Sequence, residues 1–190
     1  MMSSSGTRLD LRRARVLLVD DNATSLELIT QIMAGFRVRQ LKGCRSAEEA
    51  RTLVATDRFD LILIDFEMPG EGGPSLVEHI RSETKQPNHT APIVMLNGTT
   101  TSYMVARARD AGANMVVKKP IAPTILLSRI EWIARNNRDF IGSNGYCGPD
   151  RRFKTVSRPE NAEERRASAA ALVADPTRVM SQDEVSSLFG

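Results

Sequence analysis

The chain has 190 residues, 41% of them hydrophobic and only 5% aromatic, with a formal net charge of +3. That suits one domain with an aliphatic core and tails. No apolar run is long enough to cross a membrane, residues 1–14 have no apolar signal region, and basic residues are not interleaved with aromatics, so neither membrane nor DNA is an expected partner. The two cysteines, Cys44 and Cys147, have no CxxC spacing and no nearby histidine, which argues against zinc and fits a reduced, cytoplasmic setting.

Residues 1–14 read as a disordered leader and 15–137 as the folded domain. Val16-Leu17-Leu18-Val19 has the composition of a strand buried on both faces. Asn22 or Thr24 can cap the next helix, whose Leu26, Ile29, Ile32 and Met33 share one face and which Gly35 ends. Residues 37–41 alternate and predict a second strand. Ser46-Ala47-Glu48-Glu49 is a capping box opening a helix through Val54. Leu61-Ile62-Leu63-Ile64 is a third strand, 70–74 a loop, 75–81 a short helix and 87–92 a loop. A fourth strand over 93–96, a helix over 101–111 and a fifth strand at Met115-Val116-Val117 follow. Pro123 suits the first turn of a last helix ending at Arg135. Alternation of this kind predicts an α/β fold, a five-stranded doubly wound parallel sheet with helices on both faces.

Composition shifts after Asn137. Residues 138–159 carry Gly142, Gly145, Gly148, Pro149, Pro159 and a basic knot, Arg151-Arg152-Phe153-Lys154, and read as a linker without its own core; Cys147 is expected in a mobile part of it. Residues 160–190 read as a helical tail, Ala-rich and Glu/Arg-paired at first, then interrupted by Asp175-Pro176. It ends in an amphipathic peptide, 180–190. There Ser181-Gln182-Asp183-Glu184 is a second capping box, Met180 and Val185 are spaced as a hydrophobic staple, and Val185, Leu188 and Phe189 form an apolar stripe. So short a helix folds when its stripe enters a groove.

The chemistry stands at the strand ends. The first strand runs into Asp20-Asp21, the third into Asp65, and the fifth into Lys118-Lys119-Pro120. In a parallel sheet these ends lie side by side, at the edge where ligands bind. Clustered carboxylates repel unless a cation sits among them; a hard divalent ion suits oxygen ligands, and a lysine beside it suits a phosphoryl oxygen. Alone, Asp20-Asp21 could simply favour a helix N-terminus; Asp65 and Lys119 in register tip the balance toward a metal site. Lys118 reads as a solvated neighbour, His79 and His89 as surface residues, and Trp132 as a partly buried packing residue. Arg151-Arg152 suit a charged linker better than a ligand site, although paired arginines can hold a cyclic dinucleotide or an acidic partner.

The early Asp20-Asp21, the central Asp65 followed by Met68-Pro69-Gly70, and the late Lys119-Pro120, in that order on five βα units, resemble the receiver domain of two-component response regulators. The resemblance covers about 15–137 and implies a flavodoxin-like (βα)5 fold. It implies that Asp65 accepts a phosphoryl group from a sensor histidine kinase or a histidine phosphotransfer protein. It also implies that Mg2+ is bound by Asp21 directly, by Asp20 mainly through water, by Asp65 and by the backbone carbonyl of Glu67, and that Lys119 pairs with Asp65 and then with the phosphoryl group. The Glu67 side chain would lie near the attacking water. Two positions depart from the family. Asn97 and Gly98 stand where Thr or Ser, then Ala, is usual, and Val116 stands where an aromatic switch is usual, so the readout must differ. The peptide 180–190 resembles the amino-terminal motif of the flagellar motor switch protein, with Ser186 and Ser187 in place of Asp and Ala. That implies docking through Val185, Leu188 and Phe189 on its own receiver, a second copy or another regulator.

Three functions are therefore weighed. The first is a phosphorylation-regulated receiver whose output is contact with a downstream protein target, without a DNA-binding domain and with no catalysis beyond its own phosphotransfer. The second is an adaptor whose binding ignores phosphate. The third, a phosphatase of the haloacid-dehalogenase type, wants Asp-x-Asp after its first strand, whereas Asp65 is in the third strand and is followed by Glu67.

Overall fold

A computed structural model describes residues 9–82, 87–136, 138–143, 146–150 and 176–189. The helix expected over 160–174, the basic knot at Arg151-Arg152 and most of the leader lie outside the described residues.

Five strands, β1 (Arg15–Val19), β2 (Gln40–Cys44), β3 (Leu61–Asp65), β4 (Ile93–Asn97) and β5 (Met115–Lys118), form one parallel sheet in the order β2-β1-β3-β4-β5. The helices between and after them are α1 (Ala23–Gly35), α2 (Ala47–Thr56), α3 (Gly72–Ser82), α4 (Ser102–Ala111) and α5 (Pro123–Arg135). Val16 to Val19 and Ile62 to Ile64 are wholly buried, as strands covered by helices on both faces must be. The expected fold is therefore the observed one.

Local chemistry fixes most boundaries. The Asn22 side chain accepts from the N–H groups of Thr24 and Ser25 and opens α1. The Ser46 hydroxyl accepts from Glu49 N, while the Glu49 carboxylate reaches back to Arg45 N. Two elements start well away from the sequence reading. The second strand starts at Gln40 rather than at 37, because Arg37 takes a left-handed φ of 66° as α1 closes, and the alternation at 37–41 straddles that turn. The third helix starts at Gly72, taking in residues read as loop: Pro74 lies in its first turn, where a missing N–H costs nothing.

The stretch read as a linker begins with an antiparallel hairpin, β6 (Phe140–Ser143) and β7 (Tyr146–Pro149), with β7 packed on α3 and α4. Cys147 therefore lies in a strand rather than in an unstructured stretch. The hairpin approaches Gly112, which caps α4 at φ 101°; a Cβ there would lie 2.6 Å from the Cys147 carbonyl oxygen. Arg81 lies below this contact with 3% of its surface exposed. It donates to the carbonyls of Gly112 (3.0 Å), His89 (2.7 Å) and Ala91 (2.9 Å) and to Asn114 Oδ1 (3.0 Å). Its guanidinium stands 4.7 Å from the centre of the Phe140 ring. His89 meets the same ring edge-on, so it is half-buried rather than a surface residue, and His79 is half-buried too.

The last element, α6 (Gln182–Phe189), lies against β5. Its capping box forms: Ser181 N donates to Glu184 Oε2 (2.8 Å) and Glu184 N to Ser181 Oγ (3.3 Å). Met180, Val185 and Phe189 are buried and Leu188 is half-buried.

Candidate metal centre

The parallel register brings the acidic strand ends together. Val19 pairs with Ile64, so the next residues, Asp20 and Asp65, emerge side by side. Asp20 is fully buried, Asp65 nearly so and Asp21 half-buried; one carboxylate oxygen from each lies within 4.8 Å of the others. Lys119 follows β5 and places Nζ 2.7 Å from Asp20 Oδ2 and 2.7 Å from Asp65 Oδ1. Four of the residues singled out from sequence therefore converge.

Asp20 is held from several sides. Its Oδ1 accepts from Asn22 N at 3.0 Å, and its Oδ2 accepts from Ser25 Oγ at 2.5 Å besides Lys119. The main-chain oxygen of Asp21 accepts from the Arg45 guanidinium at 2.9 and 3.1 Å. The backbone under Asp65 is crowded by α3: a Cβ on Gly73 would stand 2.1 Å from the Asp65 carbonyl oxygen, so only glycine lets the helix start there.

Burial pushes the Asp65 carboxyl above its ordinary value, against the opposing pull of Lys119. Burial also disfavours the Lys119 ammonium, but its bonds to Asp20 and Asp65 more than reverse this and hold its pKa above the usual lysine value. Three carboxylates against one ammonium leave excess negative charge in a partly dry site. Oxygen donors at this spacing fit a hard divalent cation such as Mg2+, with Asp20, Asp21 and Asp65 as the side-chain ligands.

The other expected residues stand differently. Asn97 is buried at the end of β4; its Nδ2 donates to Met104 Sδ (3.3 Å) and its Oδ1 accepts from Thr99 N (3.3 Å). Glu67 is exposed and its carboxylate is not one of the three that converge; the expectation for it concerns its backbone carbonyl. Val116 is buried within β5. Val185, Leu188 and Phe189 are not part of the acidic site but belong to α6, which lies against β5; Val185 and Phe189 are buried and Leu188 is half-buried. The sequence reading missed Ser25 and Arg45. Ser25 left a trace, about one helical turn beyond the Asp pair; Arg45 acts on a backbone carbonyl that no side-chain pattern announces.

Residues 16–131 match the family described as the response regulator receiver domain. Among curated relatives, the DNA-binding response regulator MtrA of Mycobacterium tuberculosis is 31% identical over 136 residues, covering 69% of this chain and 55% of the relative. The chain thus spans about half the length of the curated relatives it matches. Among solved structures, the chemotaxis response regulator CheY4 of Vibrio cholerae is 26% identical with a TM-score of 0.57, covering 63% of this chain and 98% of that one. A crystal structure from Chloroflexus aurantiacus is 27% identical with a TM-score of 0.60, covering 65% of this chain and 98% of that one.

Proposed function

The chain belongs to the response regulator receiver family, and from that premise we propose that Asp65 is its phosphoacceptor, served by Mg2+ and Lys119. The carrying observation is the meeting of Asp20, Asp21, Asp65 and the Lys119 ammonium at one sheet edge. Receiver domains take a phosphoryl group from histidine kinases and bind Mg2+ at such a cluster; no helix among the described residues is long and apolar enough to cross a membrane.

In the transfer, an Asp65 carboxylate oxygen bonds to the phosphorus of a donor phosphohistidine, and the phosphorus–nitrogen bond breaks with the imidazole as leaving group. When bound, Mg2+ supplies positive charge to the phosphoryl oxygens. Asp20, Asp21 and Asp65, with the backbone carbonyl of Glu67, would hold it. Lys119, already 2.7 Å from Asp65, exchanges part of its carboxylate pairing for a phosphoryl oxygen. Positioning and electrostatics carry nearly all of such a reaction. Asn97 would donate its amide to the phosphoryl group once it leaves Met104. We further propose that the partners are a sensor histidine kinase or phosphotransfer protein upstream and a protein target downstream, in the cytoplasm. The DNA binding in MtrA's name belongs to that protein, of which this chain matches about half.

Beryllofluoride titration with Mg2+, followed by amide NMR, tests this reading. The wild type is expected to shift resonances around residues 20, 21, 65 and 97, and Asp65→Asn to shift none; equal responses would reject it. The adaptor reading draws on Asn97, whose amide is engaged with Met104 and Thr99, and on the aliphatic Val116. It expects a partner affinity that Asp65→Asn leaves unchanged.

A further inference from the structure

One short segment bonds both to the loop after β4 and to the end of β5, the two strands that lead into Asn97 and Lys119. Residues 178–180 add to the loop after β4 as an extra strand: Ser102 N donates to Arg178 O (2.9 Å), Thr101 bridges Val179, and Met180 N donates to Thr100 O (2.7 Å). The buried Thr100 hydroxyl returns a bond to Met180 O at 2.6 Å. That loop follows Asn97, the last residue of β4. Two residues on, Gln182 acts as a substitute strand neighbour for β5, the edge of the sheet. Its Oε1 accepts from Lys118 N (2.7 Å) and its Nε2 donates to Val116 O (3.1 Å). Lys118 adjoins Lys119, and Lys119 N donates to Asn97 O at 2.7 Å, which ties the two gripped stretches to each other. Met180, Val185 and Phe189, all buried, anchor the clamp.

We infer that the segment 176–189 is a cis-acting ligand of this face, and that its docking and phosphoryl binding at Asp65 strengthen one another. The inference rests on the phosphoacceptor reading. Its physical basis is ordering. A ligand at Asp65 must fix Asn97 and Lys119; the docked segment has already fixed the backbone near them by main-chain hydrogen bonds, so less entropy remains to be lost. The sign follows from that ordering, since a segment that has already fixed these groups lowers the cost of a ligand fixing them. Coupling is reciprocal: whatever factor the tail adds to phosphoryl affinity, a phosphoryl group adds to tail docking. No aromatic in β5 is needed, because the link runs through backbone groups.

The test uses the full chain with saturating Mg2+ and beryllofluoride as the probe, comparing wild type with Val185→Glu and with Gln182→Ala. Val185→Glu is expected to weaken beryllofluoride at least about fivefold, and Gln182→Ala about twofold or more. Conversely, beryllofluoride is expected to slow amide exchange at 185–189 by a like factor in wild type and not at all in Asp65→Asn. An affinity in Val185→Glu within experimental error of wild type, in a protein shown folded by circular dichroism, overturns the inference. If Val185→Glu does not fold, Gln182→Ala decides: unaltered affinity and unaltered exchange overturn it. A wild type that fails to bind beryllofluoride removes the phosphoacceptor reading and this one together; binding without dependence on the tail removes this one only.

Discussion

Two cations, Lys119 half-buried and Arg81 buried, stand at opposite ends of the same sheet, and they are neutralised by different means. Lys119, beyond the C-terminal ends of the strands, is paired with the carboxylates of Asp20 and Asp65. Arg81, near the N-terminal ends of β4 and β5, is surrounded by three carbonyls, one side-chain amide oxygen and an aromatic face. Ionic partners leave Lys119 exchangeable, since a phosphoryl oxygen can replace a carboxylate at little cost. Neutral dipoles fixed in the backbone leave Arg81 no alternative partner. The contrast separates a cation used in chemistry from one used to fasten α3, α4 and the hairpin together.

The sharpest way to break this contrast is Arg81→Leu. It leaves several acceptors buried without a donor and is expected to cost on the order of 3–5 kcal/mol in urea denaturation. Beryllofluoride affinity should remain within twofold in the folded fraction. Lys119→Met is expected to cost less stability, about 1–3 kcal/mol without divalent ions, because Lys119 is partly exposed and Asp20 keeps its bonds from Asn22 N and Ser25 Oγ. It should strengthen Mg2+ binding by removing a competing cation and abolish most beryllofluoride binding. Both are read by titration calorimetry, and a loss of Mg2+ affinity in Lys119→Met would contradict the ionic-partner account.

A smaller effect tests the tail by pH. The bonds from Ser181 hold the Glu184 carboxyl below its ordinary value of 4.5. A carboxyl depressed by folding contributes stability that is present above its ordinary value and is lost as pH falls through the depressed one. Protection of the amides at 185–189, taken relative to their intrinsic exchange at each pH, should therefore fall as pH drops below 4.5, before that of the sheet does. The smallest effect concerns thiols. Burial, with help from Glu49, pushes Cys44 up to about 11, whereas Cys147 is half-exposed on the hairpin beside Arg81. Iodoacetamide at neutral pH should label Cys147 first, and Arg81→Leu should speed that labelling while leaving Cys44 slow.

Much of the acidic edge was legible in the sequence. Continuous Val, Leu and Ile runs mark strands buried on both faces, and a charge that ends such a run must emerge at the sheet's edge; Asp20, Asp21, Asp65 and Lys119 all obey that rule. The capping boxes at Ser46 and Ser181 were equally plain, because their bonds are local. Arg81 was not legible: Arg81-Ser82 looks like any basic helix end, and its acceptors come from residues 89, 91, 112 and 114. The hairpin was hidden because Gly148, read as a linker residue, serves a close approach to Gly112. The clamp of 178–182 could not be foreseen in detail, since its bonds run mainly through the main chain of partners near residues 100 and 117.

Gly73 carries no functional group, yet any β-carbon there would displace the carbonyl of Asp65. In a saturation mutagenesis library selected for signalling, position 73 should tolerate replacement about as poorly as position 65. Drift at this silent neighbour is closed off by the geometry of its chemically active companion.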